Sequence, residues 1–195
     1  MVLRARRAVN PVLEAAAEID DLCVALGLPY CFIGGLAVLR WGEPRLTRDV
    51  DLTVVAGFGD EEQVVDALLH RCAGRIDDAR AFALRHRTLL LSASNGIPVD
   101  VALGALPFEE RAAARASRWS IRADAQLLTC SAEDLVVHKV FAGRERDWTD
   151  VEGIAARQGA DLNRALIEFE LLPLLDLKDA GHHKDRLDEI LGRRA

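Results

Sequence analysis

Two aspartates inside an apolar segment constrain this chain more than any other feature. In FIGGLAVLRWGEPRLTRDVDLTVV, residues 32–55, Asp49 and Asp51 are separated by one valine and lead into the apolar run LTVV. An isolated carboxylate in apolar surroundings is costly unless a positive group compensates it. Side chains alternate along a strand, so both carboxylates are expected on one face while Val50 and Leu52 enter the core. The segment therefore predicts a buried strand that holds a cation.

A third carboxylate has a similar setting. Asp100 lies in the apolar run IPVDVAL, which follows RTLLLSAS after the residues Ser94-Asn95-Gly96, and Asn-Gly is a strong hairpin signal. If the strand of Asp100 lies beside that of Asp49 and Asp51, the three carboxylates surround two Mg²⁺ ions, which prefer carboxylate and phosphate oxygens. The alternatives are a solvated strand end for the aspartate pair and a turn neighbour for Asp100.

The pair Gly34-Gly35 follows the short apolar stretch YCFI and precedes a helix predicted over 36–41. Without Cβ atoms, backbone N–H groups and a helix N-terminus can approach a polyphosphate closely. A glycine pair alone is weak evidence. Together with Asp-Val-Asp 13 residues later and a third aspartate on another strand, it indicates a nucleotide site.

The remaining pattern predicts an α+β protein with two regions. Residues 1–130 mix strands and helices, whereas residues 131–195 are helical and contribute to the same site. In the first region, helices are expected over 11–26, 60–72 and 109–116, a hairpin between 82–94 and 97–103, and one or two short strands within 119–129. In the second, Ser131 resembles a helix N-cap. Leu187, Ile190 and Leu191 form the apolar stripe of a final helix; packing onto earlier helices is favoured, and docking of a partner is the alternative.

Composition narrows the function classes. Half of the 195 residues are hydrophobic, which is enough for a sizeable core. The formal charge of −6 argues against non-specific binding of nucleic acid over the whole surface, but it allows a local basic groove. The four scattered cysteines lack zinc spacing and are expected to be reduced core residues. No apolar stretch approaches the roughly 20 residues that span a bilayer, and no signal peptide is evident. A cytoplasmic protein without membrane contact is expected.

Two motifs resemble a known family. The pattern of Gly-Gly, 13 residues and Asp-Val-Asp-Leu resembles the signature of the DNA polymerase β-like nucleotidyltransferase superfamily, including the preceding Arg45, Thr47 and Arg48. Farther on, DLVVHKVFAGRERDWTDV, residues 134–151, resembles the second signature of the AbiEii-type nucleotidyltransferases, which are toxins of bacterial toxin–antitoxin systems. The residues that carry this second motif are Lys139, Arg144, Arg146, Asp147 and Asp150.

This resemblance spans about residues 28–158 and implies a polymerase β-like core, a mixed sheet flanked by helices, with a C-terminal helical region. The implied reaction moves a nucleoside monophosphate from an NTP to an acceptor hydroxyl and releases pyrophosphate. Many relatives have Gly-Ser where this chain has Gly-Gly, so one hydroxyl that would contact phosphate is missing. Taken alone, the second motif is also compatible with a salt-bridged surface helix.

The resemblance also implies residue roles. Asp49 and Asp51 bind both Mg²⁺ ions, while Asp100 binds the catalytic one and lowers the pKa of the acceptor hydroxyl. Lys139 and Arg48 neutralise the leaving pyrophosphate, and Asp147 orients Lys139 or the acceptor. The implied nucleotide-binding residues are Gly34, Gly35, Thr47, Arg48, Lys139, Arg144, Asp147 and Asp150.

The implied acceptor is RNA, such as the 3′ end of a tRNA, and the implied partner is a cognate antitoxin. Arginines within 111–122 and 144–146 are expected to contact phosphates. A protein side chain or a small molecule such as an aminoglycoside remains an alternative acceptor. A non-catalytic module that binds a nucleotide or a partner is a second possibility. An antitoxin role is disfavoured because no helix-turn-helix with a basic recognition helix is evident. The donor nucleotide and the oligomeric state stay open.

Overall fold

The structure is a computed structural model that describes residues 10–192, and its centre is a seven-stranded mixed sheet. The strand order is β3-β4-β5-β2-β1-β7-β6. Two pairs, β2 with β5 and β1 with β7, are parallel, and the other neighbours are antiparallel. The strands are β1 Tyr30–Phe32, β2 Val50–Val55, β3 Ala73–Gly74, β4 Thr88–Ser92, β5 Pro98–Gly104, β6 Ser117–Arg122 and β7 Ala125–Thr129.

Nine α-helices flank this sheet within residues 10–192. They are α1 Pro11–Ala25, α2 Gly34–Trp41, α3 Glu61–Leu69, α4 Ala79–His86, α5 Pro107–Arg115, α6 Ala132–Ala142, α7 Glu145–Gln158, α8 Arg164–Lys178 and α9 His182–Gly192. None of them is long and apolar enough to cross a membrane. The predicted fold class, a mixed sheet flanked by helices with a helical C-terminal region, is confirmed.

The predicted hairpin and the short strands expected within 119–129 are both present. Strands β4 and β5 are antiparallel, and Gly96 in their turn has a φ of +80°, a backbone conformation that glycine adopts without steric cost. Strands β6 and β7 are also antiparallel, with Ala123-Asp124 between them. The β4–β5 hairpin fixes the position of Asp100 because β5 continues from the turn into the centre of the sheet.

Three local predictions differ from the structure. Residues 82–86, expected in the first hairpin strand, belong to α4, whose buried Ala79 and Ala83 lie one turn apart. The helix expected over 60–72 ends at Leu69 because residues 73–74 leave it to pair with β4. Helix α2 begins at Gly34 rather than at residue 36.

Two hydrophobic clusters hold the described chain together. The first packs α1, α3 and α4 onto one face of the sheet. The second joins the C-terminal helices to residues such as Ala37 of α2 and Phe108 of α5, so its members come from both sides of residue 130. The expected packing of α9 is confirmed, since Leu187, Ile190 and Leu191 are buried in this second cluster.

Helices α6 and α7 are positioned close to the beginning of β2. Helix α6 starts where predicted, with Ser131 Oγ accepting from the Asp134 N–H at 3.1 Å. Its neighbour α2 is tied to the same region because Trp41 Nε1 donates to the Cys130 carbonyl at 2.8 Å. Both α6 and α7 pack against α2, which starts beside the end of β1. Side chains from α6 and α7 can therefore meet those at the start of β2.

Candidate active site

Strand register brings two of the three predicted carboxylates together. Strands β2 and β5 are parallel, and Asp51 and Asp100 are direct Cα partners, so their side chains lie on the same face. Asp49, which was expected inside the buried strand, instead immediately precedes β2 and is exposed, because the strand pairing starts only at Val50. All three line one cavity of about 200 Å³. Nowhere in residues 10–192, however, are three or more His, Cys, Asp or Glu side chains arranged to hold a metal ion.

Asp51 lies in a partly buried position with an excess of negative charge around it. Burial raises the pKa of its carboxyl group, and the neighbouring carboxylates of Asp49 and Asp100 raise it further. A hydrogen bond from the Gly35 N–H and the charge of Lys139 oppose this shift without cancelling it. A bound cation would remove the repulsion, so the electrostatics of this carboxylate suit a cation site.

The glycine pair packs directly against this carboxylate. Gly34 has a φ of +56°, and a Cβ atom there would lie 2.1 Å from Asp51 Oδ2. A Cβ atom at Gly35 would lie 2.2 Å from Thr47 Oγ1. Glycine is therefore required at both positions for α2 to begin this close to β2. The predicted contact of the pair with phosphates stays a prediction, because the N–H of Gly35 already donates to Asp51.

Lys139 is the buried centre of a charge network. Its side chain is 10% exposed, and Nζ lies 3.1 Å from Asp147 Oδ1 and 2.8 Å from Asp150 Oδ2. Arg45 binds Asp150 with two nitrogens, Nε to Oδ1 at 2.6 Å and Nη2 to Oδ2 at 2.8 Å. Because both aspartates are buried, the alternative of a salt-bridged surface helix does not describe them. The predicted contact between Asp147 and Lys139 is present.

The network keeps Asp150 ionised. Burial raises the pKa of this carboxyl group, but hydrogen bonds from Arg45 and Lys139 outweigh burial and leave the pKa below its ordinary value. In return, Asp150 holds Arg45, which precedes Thr47, and Thr47 Oγ1 lies 3.1 Å from Asp49 Oδ1. Asp150 thus helps to position the segment that ends at the candidate metal ligands.

Three arginines at the cavity entrance, Arg48, Arg144 and Arg146, form an arginine rim. Arg144 and Arg146 line the cavity of the aspartates, while Arg48 and Arg146 line an adjoining cavity of about 400 Å³ together with Leu46 and Asp49. Among residues 10–192, no ion pair involves the rim; Arg146 reaches only the Leu46 carbonyl, at 3.5 Å. The rim therefore presents arginines without an ion-pair partner within the described chain.

The arginines within 111–122, which were also predicted to contact phosphates, are paired with carboxylates. Each of the four arginines within 111–122 forms an ion pair with a carboxylate: Arg111 with Glu170, Arg115 with Asp134 and Glu170, Arg118 with Asp20, and Arg122 with Asp124. The pairs of the first three arginines tie separate elements together, whereas Arg122 pairs within its own hairpin. All four arginines lie outside the cavity of the aspartates. A larger cleft of about 690 Å³, which Arg118 and Arg122 help to line, also contains none of the predicted site residues.

Sequence reasoning missed one residue of the site. Arg75, just after β3, places Nη2 2.6 Å from Asp100 Oδ1. No motif includes this arginine, and β3 itself was not predicted. The role of Arg45 was also missed, although it was noted as part of the first motif; a basic residue ahead of an aspartate pair was the available signal.

The mixed sheet, the paired aspartates and the glycine turn define a nucleotidyltransferase of the polymerase β-like class. The chain belongs to the family described as nucleotidyl transferase AbiEii toxin, type IV toxin–antitoxin system, whose sequence profile matches residues 21–191. Among curated proteins, none matches the chain in sequence.

Two solved structures share the fold. The solution structure of the antibiotic-resistance factor ANT(2'')-Ia is similar with a TM-score of 0.57 and 15% identity, over 89% of this chain and 96% of that one. The crystal structure of an antigenic nucleotidyltransferase-like protein from Paracoccidioides brasiliensis is similar with a TM-score of 0.51 and 15% identity, over 91% and 92%. At this identity the likeness establishes the fold alone.

Proposed function

We propose that this chain uses Mg²⁺ to transfer a nucleoside monophosphate from an NTP to a hydroxyl of an RNA acceptor such as the 3′ end of a tRNA. In this proposal it acts as a cytoplasmic toxin that a cognate antitoxin neutralises. The observation that carries the proposal is the register of Asp51 and Asp100, which places two carboxylates side by side on one face, with Asp49 at the same cavity.

The donor set suits the metal. Asp49, Asp51 and Asp100 offer only carboxylate oxygens, the ligands that Mg²⁺ prefers, and Asp100 Oδ1 is buried without a hydrogen-bond partner among residues 10–192. When bound, Mg²⁺ would activate the acceptor hydroxyl and stabilise the leaving pyrophosphate. The family membership supports nucleotidyl transfer as the reaction.

The protein's own residues would position the triphosphate. Lys139 lines the cavity of Asp49, Asp51 and Asp100. Its ammonium group is held in place by ion pairs with Asp147 and Asp150, so it is already positioned at this cavity. Arg144 and Arg146 line the same cavity and have no ion-pair partner in the described chain. They are available to neutralise phosphate charge as pyrophosphate leaves.

The charge of the adjoining cavity favours an anionic acceptor. Its lining contains Arg48 and Arg146 and a single carboxylate, Asp49. An aminoglycoside is a polycation and would need carboxylates along its path, whereas an RNA backbone suits unpaired arginines. The local charge thus favours RNA even though the whole chain carries a net charge of −6.

Incubation with total tRNA, Mg²⁺ and each α-labelled NTP in turn tests the proposal. Label should enter RNA with the wild type and not with the double variant Asp49→Ala, Asp51→Ala, and EDTA should abolish it. The matched control is Glu62→Ala, Asp66→Ala, which removes two exposed carboxylates from α3 and should transfer like the wild type. Equal labelling by the Asp49→Ala, Asp51→Ala variant would overturn the assigned site. Absence of label from RNA, with label entering protein or an aminoglycoside supplied in a parallel reaction, would overturn RNA as the acceptor.

A further inference from the structure

Arg75 and the candidate metal ligands lie in one row across the sheet. The Arg75 N–H donates to the Leu90 carbonyl at 2.9 Å, Leu90 is the Cα partner of Asp100, and Asp100 is the Cα partner of Asp51. Leu89 and Leu91 point into the first hydrophobic cluster, so Leu90 faces the opposite side, as Asp100 and Asp51 do. The Arg75 side chain reaches Asp100 Oδ1 from the position beside Leu90.

The contact between Arg75 and Asp100 is an ion pair without hydrogen-bond alignment. Nη2 is 2.6 Å from Oδ1, yet Oδ1 is a buried oxygen that accepts no hydrogen bond in the described chain. A buried carboxylate oxygen is normally satisfied by a donor or a cation. The guanidinium of Arg75 therefore compensates the charge of this oxygen but does not donate a hydrogen bond to it.

We infer that Arg75 is a positioning residue of the candidate metal site, and that its guanidinium and a divalent cation compete for Asp100 Oδ1. The inference rests on the proposed function, because it takes the three aspartates to be metal ligands. Arg75 compensates part of the repulsion among Asp49, Asp51 and Asp100 while no cation is bound.

The competition is physically accessible. The Arg75 side chain is 30% exposed and that of Asp100 is 36% exposed, so the guanidinium can leave into water without crossing the core. Two cations cannot approach one carboxylate oxygen without repelling each other. Metal binding and the Arg75–Asp100 contact are consequently coupled. The metal weakens the contact by the same free energy by which the contact weakens metal binding.

The test measures Mn²⁺ affinity of the full chain by electron paramagnetic resonance of free Mn²⁺, without nucleotide or RNA. Arg75→Met removes the charge and keeps most of the side-chain length. It should tighten Mn²⁺ binding at least about fivefold, the lower end of the usual range for coupled sites. Arg75→Lys keeps a cation and should give an intermediate affinity. The matched control is Arg80→Met, which breaks a comparable ion pair with Glu62 and Asp66 and should bind Mn²⁺ like the wild type.

An affinity of Arg75→Met equal to or weaker than that of the wild type would overturn the inference. If this variant does not fold, an Arg75→Lys affinity no tighter than that of the wild type overturns it equally. The transfer assay reads label in RNA and the metal experiment contains no substrate, so the two failures are distinct. Unchanged affinity in Arg75→Met beside lost affinity in Asp51→Asn would reject the role of Arg75 and leave the proposed reaction intact.

Discussion

Arg45 and Asp150, 105 positions apart, form a two-pronged ion pair with nitrogen–oxygen distances of 2.6 and 2.8 Å. The pair joins the segment before β2 to α7, and Lys139 of α6 contacts the same carboxylate. Such bidentate pairs fix orientation as well as distance. The approach of the helical region to the aspartates is thus set by a small number of buried charges.

Replacing Asp150 by Asn should destabilise the protein and reduce transfer. The change leaves Arg45 and Lys139 close together without a shared anion, and loss of one partner from a buried ion pair typically costs about 3 kcal/mol or more. We expect the low end of that range because the Arg45 side chain is 26% exposed and can reach water. Chemical denaturation followed by circular dichroism measures the change in the free energy of unfolding.

Asp66→Asn is the matched control for this experiment. Asp66 also pairs with an arginine, Arg80, at 2.6 Å, but its side chain is 53% exposed. Exposed pairs contribute little to stability, so the midpoint of unfolding should not move. Equal midpoints for the Asp150 and Asp66 variants would contradict a structural role for the buried network.

Replacing Asp51 by Asn should stabilise the metal-free protein while abolishing transfer. Burial and two neighbouring carboxylates raise the pKa of Asp51 above its ordinary value of 3.8. The folded state therefore binds more protons than the unfolded state between 3.8 and the raised pKa, and the free energy of unfolding falls as pH rises through that interval. At neutral pH the ionised carboxylate is unfavourable, and an amide removes its charge.

The thermal midpoint in EDTA at pH 7 should rise by about 2–4 °C for each kcal/mol of relief. The difference between Asp51→Asn and the wild type should shrink as pH is lowered through the raised pKa, because protonation of the folded wild-type carboxyl removes the same charge. A lower thermal midpoint for Asp51→Asn than for the wild type at pH 7 would show that the ionised carboxylate stabilises the metal-free protein. That result would contradict the expected repulsion among the three carboxylates.

Local patterns were enough to predict most of this fold. The β4–β5 hairpin follows from an Asn-Gly turn between two apolar runs, and the start of α6 follows from Ser131 ahead of an apolar helix. The pairing of Asp51 with Asp100 was predicted only as a condition, since strand order depends on contacts between distant segments. The structure meets that condition by making β2 and β5 parallel neighbours.

Long-range charge pairs could not be predicted. Arg75 and Asp100 are joined through the row of β3, β4 and β5, and the two-residue β3 has no sequence signal of its own. Likewise, the arginines within 111–122 appear in sequence as a basic cluster, but Arg111, Arg115 and Arg118 each meet a carboxylate supplied by another part of the chain. A linear sequence shows which charges exist but not which ones neutralise each other.

Gly34→Ala should disrupt the site more than its backbone strain alone explains. A residue with Cβ at a φ of +56° costs about 1–2 kcal/mol, and the new methyl would lie 2.1 Å from Asp51 Oδ2. We expect Mn²⁺ binding and transfer to be lost as Asp51 is displaced. Mn²⁺ affinity and the free energy of unfolding should be measured together.

Gly57→Ala separates strain from contact. Gly57 has a φ of +69°, and a Cβ atom there would meet nothing within 4 Å. This variant should carry a comparable backbone cost and keep Mn²⁺ binding and transfer. If Gly57→Ala lost both as completely as Gly34→Ala does, general destabilisation would explain the result and the contact with Asp51 would not.

Neutralising the arginine rim should weaken RNA binding in a salt-dependent way. Arg48→Met and Arg146→Met each remove one unpaired cation beside the 400 Å³ cavity. If each contacts a phosphate, the slope of log affinity for tRNA against log salt should become shallower by about 1 per variant. Arg85→Met, at an exposed position of α4 that lines neither cavity of the site, should keep the wild-type slope. Equal slopes for all four proteins would place the RNA backbone elsewhere and leave the rim to the triphosphate alone.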